Sequence, residues 1–145
     1  TSMAVVLVKD PSVEVSTPWA YSRYKELNGA NYLSLEEEFQ KRRELLRNAS
    51  WVKLMTKSNP PPLRNDLQEV VEPVTPAVRD GLTFLASLKG VLSFSMSGSG
   101  PSCFAVFDNL QAAQIALDEN QKQLKLLGLE GWCCSFKSKG VSLIL

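Results

Sequence analysis

Two short apolar runs on either side of a glycine-rich segment constrain the fold of this chain more than any other feature of its sequence. Residues 91–96 and 103–107 are rich in residue types that favour strands, and residues 97–102 between them contain two glycines and a proline. Apolar runs of this length, bounded by turn residues, predict two strands that form a hairpin. The rest of the chain has to complete the sheet to which this hairpin belongs.

The segments on both sides of the hairpin indicate an α+β fold. A single helix is expected to follow it, with Asp108 and Gln111 as a capping box and a buried apolar stripe that includes Leu110. Residues 132–137 then predict a strand, and the β-branched run at residues 4–8 predicts another strand of the same sheet. This order of elements predicts a ferredoxin-like α+β sandwich, with an antiparallel sheet and helices on one face.

The first helix is expected at residues 18–27, because a hydroxyl residue and a proline stand at its start. Either Ser16 or Thr17 can act as the N-cap, and the proline that follows suits the first helical position. Thr17 and Tyr21 lie one helical turn apart and therefore share a face of the helix. Trp19 and Tyr24 are interpreted as core residues.

Three more helices are expected before the hairpin. Ser34 and Glu37 form a capping box for the first of them. Asn65 and Asp66 open the second, which Pro73 interrupts, and they are interpreted as helix-capping groups rather than catalytic ones. The third starts at Thr75 and Pro76 and ends at Gly90.

Length, charge and histidine content exclude several classes of protein. The 145 residues suffice for one domain, and the net charge of +1 comes from interleaved cations and anions, so no nucleic-acid or membrane partner is expected. The chain has no histidine, which excludes histidine-activated nucleophiles and removes the commonest transition-metal ligand. The three cysteines follow no disulfide or zinc spacing and predict free thiols, which are typical of a cytoplasmic protein.

The glycine-rich segment itself has two interpretations. Its glycines allow positive φ angles, and its exposed backbone amides can surround an anion. The same glycines also suit an ordinary hairpin loop, and both interpretations stay open. The spacing is neither that of a Walker A loop nor that of a dinucleotide fingerprint.

Three segments, in this order, resemble motifs of the GHMP superfamily of small-molecule kinases. Residues 5–8, followed by the sequence VSTPWAY at residues 15–21, resemble the strand and helix with which the second domain of the family begins. Residues 64–68, RNDLQ, resemble the family's Asn-Asp-Leu-Glu helix start. Residues 97–105, SGSGPSCFA, resemble its third conserved motif, a glycine-rich turn of the C-terminal domain. The three motifs together span nearly the whole chain.

The resemblance implies that residues 4–145 are the C-terminal, substrate-side domain of a kinase, with residues 1–3 left from cloning or from a cut in a longer polypeptide. In the family the phosphate loop, the catalytic Asp and its partner Lys lie in the N-terminal half, and no segment here matches that loop. ATP and Mg²⁺ are therefore expected as cofactors of the complete enzyme and not of this chain alone, which is expected to be inactive. The expected partners are the N-terminal ATP-binding domain and a small-molecule substrate, in the bacterial cytoplasm or, alternatively, in the plastid stroma.

The resemblance also implies a substrate and a site. The branch of the family with the most similar motifs phosphorylates the 2-hydroxyl of a cytidyl diphosphate sugar alcohol in the non-mevalonate synthesis of isoprenoid precursors. By position, Thr17 would approach the diphosphate-sugar and Tyr21 would stack on the cytosine. The residues implied to lie near the active site in the glycine-rich motif are Ser97, Gly98, Ser99 and Gly100.

Other interpretations of these residues and of the chain stay open. Thr17 can be a helix cap, and Tyr21 can be a packing residue. The chain can belong to a GHMP kinase that acts on homoserine, mevalonate or a sugar. It can also be a free-standing ferredoxin-like module that binds a ligand or regulates another protein.

Overall fold

The computed structural model describes residues 3–29, 36–48, 56, 58–60 and 63–137, and its elements follow the order of an α+β domain. The strands in these ranges are β1 (Ala4–Lys9), β2 (Ser93–Met96), β3 (Cys103–Phe107) and β4 (Glu130–Ser135). The helices are α1 (Thr17–Asn28), α2 (Glu36–Asn48), α3 (Gln68–Val71), α4 (Pro76–Ser87), α5 (Leu110–Glu119) and α6 (Gln121–Leu126). A short 3-10 turn, Glu72–Val74, joins α3 to α4.

The strands form an antiparallel sheet in the order β2-β3-β1-β4. β1 lies between β3 and β4, and its Val6 pairs with Ala105 of β3 on one side and with Cys133 of β4 on the other. The apolar, β-branched sequence of β1 suits this interior position. The strand order is that of a ferredoxin-like fold, and the predicted α+β class is confirmed.

Helix α4 packs on one face of this sheet. Val8, Cys103 and Gly131 are cross-strand partners, so they belong to the same face. A β-carbon at Gly81 of α4 would lie 3.5 Å from Val8 Cγ2 and 3.6 Å from Cys103 Sγ. The glycine therefore allows α4 to lie directly against β1 and β3.

Helices α5 and α6 pack on the same face, over β4. A β-carbon at Gly131 would lie 2.9 Å from Leu117 Cδ1 and 3.1 Å from Leu124 Cδ2, so the two leucines fill the space above this glycine. The core between helices and sheet is apolar, and burial of each large side chain contributes about 1.5–3 kcal/mol. Its largest fully buried members include Phe107, Leu85, Met96, Val6 and Val71. Helix packing on one face was predicted and is confirmed.

The start of α5 differs from its prediction. Asn109 is the N-cap, and its Oδ1 accepts a hydrogen bond of 2.8 Å from the backbone N–H of Ala112. The predicted capping box of Asp108 and Gln111 is therefore wrong. The extended backbone that an N-cap requires occurs at Asn109, whose φ is −158°, one position later than predicted.

The single helix predicted after the hairpin is also wrong, since the structure has α5 and α6 in its place. Asn120 separates them: its φ of −114° and ψ of 14° leave the helical region. Its side-chain Nδ2 donates a hydrogen bond of 2.8 Å to Ala116 O. Leu110, predicted to be part of the buried stripe, is exposed.

The remaining bounds differ from their predictions by a few residues. α1 begins at Thr17, and β2 begins at Ser93, although Leu92 N still donates to Val106 O at 2.9 Å. Pro73 lies in the 3-10 turn, so the predicted interruption is confirmed. The capping box predicted at Ser34 lies outside the described residues.

None of the helices in the described part of the chain combines the length and the apolar character needed to cross a bilayer.

Asn109→Ala should lower the free energy of unfolding by about 1 kcal/mol, because it removes the acceptor for the Ala112 N–H. Asn109→Asp retains an acceptor and should stay within a few tenths of a kcal/mol of the parent. Urea unfolding at neutral pH measures both values. Asp108→Ala is the control and should cost clearly less than Asn109→Ala. The opposite order would show that Asp108 caps the helix.

Candidate functional site

The glycine-rich loop between β2 and β3 is closed by its own backbone. Ser97 N donates to Ser102 O at 2.8 Å, and Gly100 N donates to Ser97 O at 2.9 Å. Gly98 and Gly100 have φ angles of 56° and 79°, a region that other residue types enter only with strain. The amides of Ser97 and Gly100 are therefore used within the loop, which supports the hairpin interpretation for these two groups.

A buried thiol lies beneath the loop. Two backbone carbonyl oxygens can accept from the Cys103 S–H: Pro101 O at 3.6 Å and Val78 O at 3.8 Å. Burial, with a smaller contribution from the Glu72 carboxylate, raises the pKa of the Cys103 thiol to about 12. The thiol is therefore protonated at neutral pH and packs as an apolar group rather than acting as a nucleophile.

The start of α1 contacts this loop. Ser16 is the N-cap, since its Oγ accepts a hydrogen bond of 3.3 Å from Trp19 N. This resolves the two possible caps in favour of Ser16 and leaves the Thr17 side chain available for another partner. Thr17 Oγ1 and Ser99 Oγ share a hydrogen bond of 2.7 Å, which joins the first turn of α1 to the glycine-rich loop.

The segment before α3 reaches the same loop from another direction. Asn65 Nδ2 donates to Met96 O at 2.7 Å and to Gly98 O at 2.8 Å, and Asn65 Oδ1 accepts from Leu67 N at 3.0 Å. The N-cap position of α3 is Leu67, without a side-chain cap, so the prediction that Asn65 and Asp66 cap this helix is wrong. Asn65 instead makes a local turn with one atom and binds the loop with the other.

These elements border an open cleft of about 1090 Å³. Ser95 and Phe104 are cross-strand partners that line it, and they lie on the sheet face opposite Met96 and Cys103, against which α4 packs. Its described lining comes from α1 and its end, the segment before α3, and the β2–β3 region: Tyr21, Tyr24, Lys25, Gly29, Leu63, Arg64, Asn65, Asp66, Leu67, Ser95, Met96, Ser97, Gly98 and Phe104. The cleft therefore lies on the other side of the sheet from the helical core.

Among the described lining residues, the charged side chains are two cations and one anion. Lys25 and Arg64 are the cations, and the Asp66 carboxylate accepts a hydrogen bond from Arg64 Nε. Tyr21 and Tyr24 add two aromatic rings, and the Tyr21 residue is 62% exposed. Aromatic faces beside a net positive charge suit a flat ligand that carries negative groups.

The structure brings together some of the residues predicted for the site. Tyr21, Ser97 and Gly98 line the cleft, whereas Thr17 and Ser99 bind each other and are not among its described lining residues. Gly100 packs against the Met96 side chain: a β-carbon at position 100 would lie 2.9 Å from Met96 Sδ. The ligand contacts predicted for Thr17 and Tyr21 stay predictions.

Several lining residues were not predicted from the sequence. Tyr24 was interpreted as a core residue; it is partly buried against the core and also lines the cleft. The same interpretation of Trp19 is wrong, because this residue is exposed on α1. Lys25 carried no sequence signal that separates it from other surface cations, and Arg64 was noted only as the first residue of the RNDLQ segment. Asn65 was recognised as a polar residue before a helix, but no local pattern relates it to a loop more than thirty residues further along the chain.

Comparison with known proteins gives related sequences over nearly the whole chain. The family described as GHMP kinases C terminal matches residues 35–126. A 4-diphosphocytidyl-2-C-methyl-D-erythritol kinase of Prochlorococcus marinus is 67% identical over 99% of this chain. An enzyme of the same name from a Synechococcus species is 50% identical over 96% of the chain. The chain spans 45% of the length of each of these two relatives.

Two solved structures share the fold. A crystal structure of 4-(cytidine 5'-diphospho)-2C-methyl-D-erythritol kinase has a TM-score of 0.55 and 19% identity over 92% of this chain and 42% of its own. Homoserine kinase from Cytophaga hutchinsonii has a TM-score of 0.58 and 18% identity over 94% of this chain and 42% of its own. At these identities the likeness concerns the fold alone.

Gly98→Ala and Gly100→Ala form a matched pair that tests the packing beneath the loop. Both place a side chain at positive φ, which should cost about 1–2 kcal/mol of unfolding free energy. Only the β-carbon at position 100 would also push against the buried Met96, whereas position 98 has no atom within 4 Å of such a carbon. Gly100→Ala should therefore be the more destabilising by about 1 kcal/mol or more, measured by urea unfolding. Equal losses would contradict the packing.

Proposed function

This chain belongs to the GHMP kinase family and forms a C-terminal domain of it, and on this premise we propose that the domain holds the substrate of a larger kinase. The proposed reaction transfers a phosphoryl group from ATP to the 2-hydroxyl of 4-diphosphocytidyl-2-C-methyl-D-erythritol. This reaction belongs to the non-mevalonate synthesis of isoprenoid precursors. The names of the relatives in Prochlorococcus marinus and Synechococcus support this substrate.

The observation that carries the proposal is the composition of the cleft. Tyr21 offers an exposed ring. Lys25 and Arg64 outnumber the Asp66 carboxylate that is paired with Arg64, so the described lining has a net positive charge. A volume of about 1090 Å³ is large enough for a nucleoside diphosphate with an attached sugar alcohol. A cytidyl diphosphate has the two features that such a lining recognises, a flat base and an anionic chain.

Each group in the cleft is given a separate role in the proposal. Tyr21 stacks on the cytosine, because every base presents a π-face to an aromatic side chain. Lys25 and Arg64 attract the diphosphate. Thr17, which lies beside the cleft and is not among its described lining residues, contacts the diphosphate-sugar. A hydroxyl has one donor and two acceptor sites, so its bond to Ser99 leaves capacity for a ligand.

The glycine-rich motif is proposed to border the reacting end of the substrate. Ser97 and Gly98 line the cleft, and Ser99 is joined to α1 through Thr17. The loop formed by Ser97, Gly98, Ser99 and Gly100 would then lie beside the ATP phosphates that the N-terminal domain holds. In this arrangement the loop braces the phosphate-binding segment of the neighbouring domain.

ATP and Mg²⁺ are proposed to bind residues outside this chain. Mg²⁺ takes several oxygen ligands in nearly octahedral geometry, and phosphoryl transfer also needs a cradle for the phosphates. No segment of the sequence matches the phosphate loop of the family, and no step through ATP or Mg²⁺ is assigned to the described residues.

The 145-residue chain should fold cooperatively and lack kinase activity. Its apolar core is formed within the chain, whereas no segment matches the phosphate loop of the family. A thermal unfolding curve tests the first statement. ATP turnover with the cytidyl substrate and magnesium tests the second, with a blank that lacks protein. Substrate-dependent turnover well above the blank would contradict the division of roles between two domains.

Tyr21→Ala should raise the Michaelis constant for the cytidyl substrate by roughly ten- to a hundredfold in the enzyme completed with its N-terminal half, because base stacking on one ring contributes about 1–3 kcal/mol. The Michaelis constant for ATP should barely change, and Tyr21→Phe should be nearly silent, since the ring face and not the phenol binds. Trp19→Ala removes another partly exposed aromatic ring from α1, outside the described lining, and is the control. Equal effects of Ala and Phe at position 21, or an equal loss for ATP, would make Tyr21 a packing residue.

A further inference from the structure

The end of the edge strand β2 is held by side chains instead of by another strand. Ser97 N donates to Ser102 O, so the backbone groups of Ser97 point toward the chain that leads into β3. Successive residues of an antiparallel strand alternate in this direction, and Met96 therefore directs its own N–H and C=O away from β3. Met96 N donates to Gln68 Oε1 at 3.0 Å, and Met96 O accepts from Asn65 Nδ2 at 2.7 Å. The segment before and at the start of α3 therefore takes both outward groups of this residue.

Asn65 continues this interaction into the glycine-rich loop. The second hydrogen of the same Nδ2 group is donated to Gly98 O at 2.8 Å. The two carbonyl oxygens can only accept, and Leu67 N can only donate, so the three partners fix which end of the Asn65 amide carries the nitrogen. One side chain thus sets the distance between the end of β2 and the first turn of the loop.

We infer that Asn65 is a positioning residue, which holds the main chain of residues 96–98 in the conformation that forms one wall of the cleft. Asn65, Met96, Ser97 and Gly98 all line the cleft, so a shift of this segment changes the surface that a ligand meets. The inference rests on the proposed function only for the identity of that ligand. The position of the loop itself is a property of the chain without ligand.

Asn65→Asp separates the positioning role from a local role in the turn before α3. Aspartate has nearly the same shape, and its carboxylate still accepts a hydrogen bond from Leu67 N. It has no hydrogen to donate, so a carboxylate oxygen would face the carbonyl oxygens of Met96 and Gly98. If Asn65 only makes the turn, Asp is a conservative replacement; if Asn65 positions the loop, Asp is as harmful as Ala.

Asn109→Ala is the matched control for loss of stability. It also replaces an asparagine that accepts a backbone hydrogen bond, but it lies at the start of α5, beyond the other end of β3. Any effect that results only from a less stable fold should occur in this variant as well. Effects that occur at the loop in Asn65 variants alone report the position of the loop.

Amide hydrogen exchange of the 145-residue chain, followed by NMR, tests the inference without a ligand. In Asn65→Asp and Asn65→Ala, the amides of Ser97 and Gly100 should exchange about tenfold or more faster relative to the Val6 amide of β1, because the loop opens without its side-chain anchor. In Asn109→Ala the ratio of loop to β1 exchange should stay unchanged. Parent-like exchange in Asn65→Asp would overturn the inference, as would equal acceleration of loop and β1 amides.

Titration with cytidine 5'-diphosphate separates this inference from the proposed function. Where the parent chain binds this nucleotide, Asn65→Asp should raise the dissociation constant by about tenfold, and Asn109→Ala should leave the constant within about twofold of the parent value. Unchanged affinity in Asn65→Asp despite faster loop exchange would overturn the role of Asn65 in the binding wall. Absence of binding to the parent chain would count against the proposed ligand alone, and the exchange measurement would still decide whether Asn65 positions the loop.

Discussion

The cleft depends on the antiparallel pairing of β2 with β3 and on the tight loop that this pairing requires. The Ser97 N–H bonded to Ser102 O closes the loop, and positive φ at Gly98 and Gly100 allows the chain to turn there. The same pairing turns the polar groups of Met96 outward, where the segment before α3 takes them. The Thr17–Ser99 hydrogen bond then attaches α1 to the loop. Three segments distant in sequence thereby form one wall.

The two faces of the sheet have different surroundings. Helices α4, α5 and α6 cover the face that contains Val8 and Cys103, and the buried apolar side chains there supply most of the stability. The cleft borders the opposite face through Ser95 and Phe104. A ligand site on that side can contain charged groups such as Lys25 and Arg64 without placing them in the core. The core of the domain therefore lies on one face of the sheet, and the proposed ligand site borders the other face.

The fold could be predicted from the sequence because its signals are local: two apolar runs around a glycine-rich loop, a central β-branched strand and an amphipathic segment before β4. The N-cap of α5 could not, because the choice between Asp108 and Asn109 depends on which residue has the extended backbone. Tyr21, which lines the cleft, was predicted as a site residue through a resemblance to known kinases and not through its chemistry. Asn65 was missed as a loop contact because its partners lie 31 and 33 residues away and are backbone carbonyls, which any residue type provides.

The central claim is that the cleft between α1 and the glycine-rich loop binds a cytidyl diphosphate, and the most direct measurement is a set of nuclear Overhauser effects between cytidine 5'-diphosphate and the chain. The claim predicts contacts from the H5 and H6 protons of the base to the ring protons of Tyr21, together with shifts of the Ser97 and Gly98 amides. Contacts confined to the helical face of α4 to α6, or bound base protons with no contact to Tyr21, would contradict it.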